Sequence, residues 1–187
     1  METNELIKEN KEALRKEIKV KKSAFNKENY PIESDNVFAQ IEQSPAFKEA
    51  KTVLAYWSLP KEVETHRFVD KWYKHKTIIL PLVVGDILEL RVYSGPDCMV
   101  VGPSFGILEP QKGEIFTEQS IDFGIIPGMA FDLKGNRIGR GKGYYDKLLK
   151  TISVPKFGVC LSFQLVDSVP VDHYDITMDR VIYPKNL

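Results

Sequence analysis

Glycines and cations alternate in one segment of the C-terminal half of the chain, and a carboxylate follows them. Residues 135–146 read G-N-R-I-G-R-G-K-G-Y-Y-D. Glycine lets the backbone approach a bulky anion and adopt positive φ, and exposed N–H groups attract negative charge. Arg137, Arg140 and Lys142 add full positive charges. The segment therefore predicts a phosphate-binding loop, and a plain surface turn is the alternative.

Two better-known phosphate loops do not fit this segment. A Walker A loop needs Ser or Thr after its lysine, whereas Gly143 follows Lys142. The glycine spacing also differs from the G-x-G-x-x-G of dinucleotide-binding folds. A metal bound together with phosphates would need a carboxylate instead of a hydroxyl. Asp146 provides one in the first turn of a helix predicted over residues 144–150.

Composition indicates one folded domain over residues 1–187, with 43% hydrophobic residues. The 26 Lys and Arg residues balance the 26 Asp and Glu residues, so the overall charge recruits neither nucleic acid nor a membrane surface. Any anion site must be local. Residues 1–10 lack the apolar core of a signal peptide, and no apolar run has the length of a membrane span. We expect a cytoplasmic protein that acts as a monomer on small molecules.

Cysteine and histidine give no separate signal of chemistry. Cys98 and Cys160 are too few for a disulfide framework or a zinc site, and Cys160 lies in an apolar run that predicts a buried thiol. His66, His75 and His173 have neither metal-ligand spacing nor the context of a catalytic triad.

The N-terminal residues 4–25 are predicted to form a basic amphipathic helix. Ile7, Leu14 and Ile18 define an apolar side. Cations recur at spacings of three and four on another side, at Lys8, Lys11, Arg15, Lys19 and Lys22. A stripe of this kind can contact an anion, or it can simply be solvated.

Strand and helix patterns alternate along the rest of the chain. Strands are predicted over residues 52–59, 77–84, 87–93, 121–131, 156–163 and 178–183, and helices over 35–43, from Thr65, and over 144–150. This order predicts a three-layer α/β sandwich with a central mixed, mostly parallel sheet and helices on both faces. The glycine-rich segment follows the end of a strand, where such folds bind ligands.

Four segments together resemble a known family. Residues 126–132 (I-P-G-M-A-F-D) and the glycine-rich segment are similar to the signature of the 5-formyltetrahydrofolate cyclo-ligases, also called 5,10-methenyltetrahydrofolate synthetases. Residues 11–15 (K-E-A-L-R) resemble the family's N-terminal basic motif, residues 57–65 (W-S-L-P-K-E-V-E-T) its folate-side segment, and residues 178–183 (M-D-R-V-I-Y) its C-terminal motif. The segments follow the family's order along nearly the whole chain.

The resemblance implies an ATP-dependent ring closure. ATP would phosphorylate the formyl oxygen on N5 of the folate, N10 would attack the activated carbon, and phosphate would leave. The protein's tasks would be to align the two substrates and to neutralise charge on the transferring group.

The resemblance also implies roles for individual residues. Arg140, Lys142 and Tyr144 are the catalytic candidates, Asp146 and Asp179 match magnesium ligands, and Trp57 and Glu62 match folate contacts. The folate side is shared with the glycine-rich segment at Arg140, Gly141, Lys142, Gly143 and Tyr144. The ATP-binding positions are Lys11, Arg15, Arg137, Ile138, Gly139, Arg140, Gly141, Lys142, Gly143, Tyr144 and Tyr145.

Each of these residues has a structural alternative. Glu62 could merely favour the helix that follows it, Trp57 could belong to the core, and Asp179 could be a turn residue. Asp132 could shape the loop or support a metal ligand. At the level of the whole protein, the alternatives are a sugar-phosphate isomerase or acyl-transfer relative that needs no ATP, and an ATP-sensing or RNA-binding module.

Overall fold

A computed structural model describes residues 3–102, 107–117 and 121–185 of the chain. The helices in these residues are Asn4–Ala24 (α1), Asn29–Gln43 (α2), Pro45–Glu49 (α3), His66–Trp72 (α4) and Tyr144–Leu149 (α5). The strands are Thr52–Leu54 (β1), Thr77–Val84 (β2), Ile87–Val92 (β3), Val100–Val101 (β4), Leu108–Glu109 (β5), Phe123–Ile126 (β6), Ala130–Phe131 (β7), Arg137–Ile138 (β8), Lys156–Val159 (β9) and Arg180–Ile182 (β10).

Six strands form the central sheet in the order β10-β9-β6-β1-β2-β3. All neighbouring pairs are parallel except β2 and β3, which form an antiparallel hairpin through Gly85 and Asp86. From β1 the chain first builds β2 and β3 on one side. It later returns to build β6, β9 and β10 on the other. The strand order therefore reverses between β1 and β6, and in open α/β sheets ligands bind beyond the carboxyl ends of the strands at such a point.

Two apolar clusters cover the two faces of the sheet. Successive residues of β1 point to opposite faces, so Val53 packs in the cluster that contains residues of α2, α3 and α4. Leu54 packs in the second cluster, with Leu148 and Leu149 of α5. Helices thus lie on both faces of a mixed, mostly parallel sheet, as predicted.

Helix α1 packs outside these layers, against the hairpin of β7 and β8. Its Leu14 and Ile18 are buried with Ala130 of β7 and Ile138 of β8. The turn of this hairpin is organised by Asp132, which is fully buried and accepts hydrogen bonds from four donors. The donors are the backbone N–H groups of Lys134, Asn136 and Val169 and the side-chain amide of Asn136. Asp132 therefore shapes the turn before the glycines.

Several predicted strands are shorter than expected, and three of them differ the most. The predicted strand 121–131 is wrong as one element, because it divides into β6 and β7 around Pro127 and Gly128. Pro127 has no backbone N–H to continue a ladder. The strand predicted over 52–59 ends at Leu54, and the one over 156–163 ends at Val159, before a 3₁₀ turn at Ser162–Gln164. Within the described ranges, no helix combines the length and the apolar character required to cross a membrane.

Candidate active site

A cleft of about 1350 Å³ lies beyond the carboxyl ends of β1 and β6, where the strand order reverses. Tyr56 and Trp57 after β1 and Pro127 and Gly128 after β6 line it. The cavity therefore lies at the point where the strand order predicts a ligand crevice.

Several further parts of the chain line the cleft. Helix α1 supplies one wall, the segment after β1 and the β2–β3 hairpin supply an apolar wall, and β8 with the first turn of α5 supplies the floor. The predicted site residues that line it are Lys11, Arg15, Trp57, Glu62, Arg137, Ile138, Gly139, Arg140, Gly141, Lys142, Gly143, Tyr144, Tyr145 and Asp146. Sequence reasoning missed other lining residues, among them Leu59, Leu82, Leu88, Asp172 and Asp175.

The glycine loop, residues 139–143, connects β8 to α5 along the cleft. Gly141 and Gly143 have φ values of +97° and +69°, which side-chain-bearing residues rarely adopt. Arg15 of α1 donates from Nε to the carbonyl oxygen of Gly139 at 3.0 Å. This bond connects the N-terminal helix to the loop, as expected if both contact one ligand.

Two of the three cations in the glycine-rich segment have carboxylate partners in the protein. Arg140 donates to Glu62 Oε1 at 2.5 Å, and Arg137 donates to Asp146 Oδ1 at 2.7 Å. These two guanidinium charges are thus partly neutralised within the protein. Lys142 is exposed at the cleft and is paired with no carboxylate in the described part of the chain.

Arg137 is not part of an open loop. It belongs to β8, its side chain is 3% exposed, and it also donates to the carbonyl oxygen of Pro127. Its Nε, which is buried, has no hydrogen-bond partner among the described residues. A buried donor without a partner costs free energy of folding.

The Arg140–Glu62 pair joins the glycine loop to the segment after β1. Glu62 also accepts a hydrogen bond from the backbone N–H of Leu59 through Oε2. A carboxylate has about four acceptor positions. Glu62 can therefore accept further hydrogen bonds from a ligand in the cleft without losing either protein partner.

Trp57 is half-buried and stacks with two neighbouring rings. Its ring centroid lies 4.0 Å from that of His66 and 5.6 Å from that of Tyr93, with interplanar angles of 21° and 28°. His66 Nε2 lies 2.9 Å from the carbonyl oxygen of Ser58, which fixes the imidazole. Trp57 thus combines the two roles considered from sequence, because it packs against the core and also lines the cleft.

The two tyrosines at the start of α5 differ in their surroundings. Tyr144 donates from its hydroxyl to the carbonyl oxygen of Gly85 at 3.3 Å, so the β2–β3 turn contacts α5. Desolvation raises the pKa of Tyr145, although the charge of Arg137 opposes the shift. The Tyr145 phenol therefore stays protonated at neutral pH, and it lies beside the Arg137 guanidinium.

The two predicted metal ligands do not meet. Asp146 lines the cleft, whereas Asp179 is absent from its lining and contacts Lys156, with Oδ2 accepting from the backbone N–H and from Nζ. Lys156 begins β9, and β9 is parallel to β6. This contact therefore lies at the amino ends of the strands, whereas the cleft lies beyond their carboxyl ends. In the part of the chain that the structure describes, no three Asp, Glu, His or Cys side chains cluster as a metal site.

The cleft offers a magnesium ion the Asp146 carboxylate but no cluster of three protein ligands among the described residues. Magnesium in nucleotide sites is usually held by one or two carboxylates, phosphate oxygens and water. Among the described residues Asp146 accepts one hydrogen bond, at Oδ1, so Oδ2 remains for a cation. The donor set thus suits an ion that is brought in with phosphates and is supported by the Asp146 carboxylate.

Lys11 of α1 is held by two carboxylates that sequence reasoning did not identify. Its Nζ donates to Asp172 at 2.7 Å and to Asp175 at 2.5 Å. All three residues line the cleft. No pattern in the sequence indicates this cluster, because Lys11 is separated from the two aspartates by 161 and 164 positions.

The fold and the cleft define an α/β protein with a glycine-rich, cationic loop beside the topological switch point of its sheet. The model of the 5-formyltetrahydrofolate cyclo-ligase family matches residues 7–184. A probable 5-formyltetrahydrofolate cyclo-ligase of Caenorhabditis elegans is 30% identical over 193 residues, which cover 95% of this chain and 94% of the relative. The 5-formyltetrahydrofolate cyclo-ligase of Mus musculus is 28% identical, with 92% and 93% covered.

Solved structures agree with the sequence relatives. The structure of Aquifex aeolicus 5,10-methenyltetrahydrofolate synthetase is similar with a TM-score of 0.84 and 39% identity, and covers 94% of this chain and 90% of that one. A Mycoplasma pneumoniae synthetase shares the fold, with a TM-score of 0.75, 24% identity, and 94% and 99% covered. The chain belongs to the 5-formyltetrahydrofolate cyclo-ligase family, a family of enzymes, and the resemblance seen in its motifs is confirmed.

Proposed function

We propose that this chain uses ATP to close the ring of 5-formyltetrahydrofolate, which gives 5,10-methenyltetrahydrofolate, ADP and phosphate. The observation that carries the proposal is the single cleft shared by the basic residues of α1, the segment after β1 and the glycine loop. Family membership supplies the folate substrate. The loop and its cations supply the reason for a phosphorylated co-substrate.

The chemical difficulty is the formyl oxygen, which is a poor leaving group on an amide carbon. Transfer of the γ-phosphoryl group to that oxygen breaks the bond to ADP and converts the oxygen into part of a phosphate ester. The lone pair of N10 then attacks the formyl carbon. The N10 proton is lost, and phosphate departs with the former formyl oxygen.

The glycine loop is proposed to bind the transferring phosphoryl group. Lys142 is exposed beside Gly141 and Gly143, whose backbone lets a phosphate approach closely. Arg140 lies next to it and can share its guanidinium between Glu62 and a phosphate, because a guanidinium has five N–H donors. Stabilisation of charge on that group lowers the barrier more than ground-state binding does.

The folate ring is proposed to bind on the side of Glu62 and Trp57. The Glu62 carboxylate retains acceptor positions that match the donor edge of an aminopterin ring. Trp57, Leu82 and Leu88 give this side of the cleft its apolar surface. The Glu62–Arg140 contact supports an arrangement in which the formyl end of the folate lies next to the glycine loop.

The metal-phosphate side is proposed to be built by Asp146 together with Arg137, Lys11 and Arg15. Magnesium bound with the phosphates would neutralise charge on the transferring group. Asp146 would supply the protein carboxylate for it. Asp179 is not included, because it lies away from the cleft.

The test is a direct assay of the purified chain. With ATP, magnesium and 5-formyltetrahydrofolate together, we expect one phosphate released for each conjugated methenyl product, which is followed by its absorbance. Omission of any component should abolish both signals. Turnover without nucleotide, or AMP and pyrophosphate in place of ADP and phosphate, would refute the proposal.

A further inference from the structure

The segment between β6 and β7, residues 127–129, forms an elbow of the backbone that lines the cleft. Its three carbonyl oxygens all accept hydrogen bonds from side chains. Arg137 donates from Nη1 to the oxygen of Pro127 at 3.3 Å. Gln164 donates from Nε2 to the oxygens of Gly128 at 2.8 Å and Met129 at 3.2 Å. The conformation of the elbow is therefore fixed from the protein side.

Gln164 lies outside the lining of the cleft, at the end of the 3₁₀ turn, and is 7% exposed. Its Oε1 accepts from the backbone N–H of Leu161 at 3.0 Å, which directs Nε2 toward the elbow. The turn itself is attached to α2, because Glu33 accepts from both the backbone N–H and the hydroxyl of Ser162 at 2.7 Å. The Gln164 amide thus has a fixed base and a fixed orientation.

One polar group of the elbow backbone has no such contact. The N–H of Met129 donates to the carbonyl oxygen of Ile138 at 2.7 Å, and Pro127 has no N–H. The Gly128 N–H has no hydrogen-bond partner among the residues that the structure describes. Gly128 is half-buried at the cleft, so the partner of this donor is water or a ligand.

The packing of the elbow limits how it can move. A Cβ atom at position 128 would lie 2.6 Å from the ring of Phe131, so the Gly128 backbone packs directly on that ring. Phe131 is fully buried and blocks movement toward the core. Without the hydrogen bonds from Gln164, the elbow would therefore be displaced toward the cleft.

We propose that the Gly128 N–H donates a hydrogen bond to an acceptor oxygen of a bound substrate, and that Gln164 is the positioning residue that holds this donor in place. The inference rests on the proposed function. A fixed backbone N–H stabilises negative charge that develops on an oxygen without the cost of reorganisation. The acceptor oxygen has two possible sources, which are the phosphates of the nucleotide and the formyl group of the folate.

The first experiment follows the Gly128 amide directly, by NMR and hydrogen exchange on the isotope-labelled full chain. The probes are a non-hydrolysable ATP analogue with magnesium, 5-formyltetrahydrofolate, and both together. We expect the amide to exchange rapidly in the free protein and about tenfold or more slowly once its acceptor is bound. Protection by the analogue alone assigns the acceptor to phosphate, and protection by the folate alone assigns it to the folate. Protection that needs both assigns it to the ternary complex.

The second experiment separates positioning from stability. Gln164→Met keeps the approximate size of the side chain but removes its hydrogen bonds, and should lower kcat/KM about tenfold or more. The ligand-induced protection of the Gly128 amide should be lost in the same variant. If Gln164→Met does not fold, Gln164→Asn replaces it, because Asn retains an amide but has a shorter reach.

Gln40→Met is the matched control. The Gln40 amide also donates to a backbone carbonyl oxygen, that of Tyr183 at 2.8 Å, but it lies outside the cleft. Both variants should lower the Tm, whereas Gln40→Met should keep kcat/KM within about twofold of wild type.

Each negative result has its own meaning. A Gly128 amide that stays unprotected in every ligand-bound state would overturn its role as a donor. Wild-type kinetics in a folded Gln164→Met variant, or an equal loss of activity in Gln40→Met, would overturn the positioning role. A wild-type chain that closes no ring with ATP would overturn the proposed function, whereas normal turnover with an unprotected Gly128 amide would overturn this inference alone.

Discussion

Arg137 donates from Nη2 to Asp146 Oδ1 at 2.7 Å, which connects β8 to the first turn of α5. The residue expected to contact phosphate and the residue expected to bind the metal are thus partners at the cleft floor. A cation that approaches Asp146 must share the carboxylate with a guanidinium that is 3% exposed. Magnesium affinity in the free protein should therefore be low and should rise when phosphates arrive with the ion.

The first prediction concerns this carboxylate. Asp146→Asn keeps the shape of the side chain but removes the charge that a hard divalent cation requires. We expect the magnesium concentration for half-maximal activity to rise about tenfold or more. The measurement is a magnesium titration of activity at saturating ATP and folate.

Asp179→Asn is the informative control for that titration. Asp179 contacts Lys156 at the amino ends of the strands, away from the cleft. Its substitution should therefore leave the magnesium dependence unchanged. If Asp179→Asn shifts the titration and Asp146→Asn does not, the assignment of the metal side of the cleft is wrong.

The second prediction concerns the folate side. Glu62→Gln should raise the folate KM about tenfold or more and leave the ATP KM within about twofold, because Gln lacks the anionic acceptor that matches a pterin donor edge. Glu64→Gln is the control, since Glu64 belongs to the same segment but contacts Arg67 outside the cleft. An effect of Glu62→Gln on the ATP KM alone would contradict the division of the cleft.

The third prediction concerns the glycine loop. Lys142→Ala should fold normally and lose about 10³-fold in kcat, the scale known for residues that stabilise a transferring phosphoryl group. Lys134→Ala should keep wild-type rates, because Lys134 is exposed in the β7–β8 turn and outside the cleft. Near wild-type kcat in a folded Lys142→Ala variant would show that the loop is structural only.

The fourth prediction is a pH dependence of stability. Burial by itself would raise the pKa of Asp172, but the hydrogen bonds from Lys11 and the Tyr174 backbone lower it below its ordinary value of 3.8. A carboxyl with a depressed folded-state pKa stabilises the protein above its unfolded-state pKa. That contribution is lost as the pH falls through the folded-state value.

Wild type should therefore lose more free energy of unfolding between about pH 6 and pH 3 than Asp172→Asn does. Urea unfolding at both pH values measures the difference, and Asp167→Asn should behave like wild type. Equal losses in wild type and Asp172→Asn would mean that the Lys11 contact does not form in solution.

The sequence predicted α1, β2, α5 and most of the cleft for a physical reason. Local periodicity and turn chemistry determine where α1, β2 and α5 begin and end, and the glycines need their backbone freedom whatever surrounds them. The motif residues also follow parallel strands, whose carboxyl ends lie on the same side of the sheet. Their convergence therefore follows from the α/β fold.

Other features depend on pairings that no local pattern encodes. The order β10-β9-β6 places the start of β10 next to the start of β9, which puts Asp179 beside Lys156 and away from Asp146. The burial of Arg137 follows from the pairing of β7 with β8 under α1. Lys11 lies in the N-terminal helix, whereas its partners Asp172 and Asp175 lie near the C-terminal strand, so only the folded structure identifies these contacts.

The most direct test of the central claim follows the formyl oxygen itself. The purified chain is supplied with magnesium, ATP and 5-formyltetrahydrofolate whose formyl oxygen carries a heavy isotope, and the released phosphate is analysed by mass spectrometry. If the γ-phosphoryl group is transferred to the formyl oxygen, each phosphate released with the methenyl product carries the label. Unlabelled phosphate, with the heavy oxygen found in water, would contradict a phosphorylated formyl intermediate.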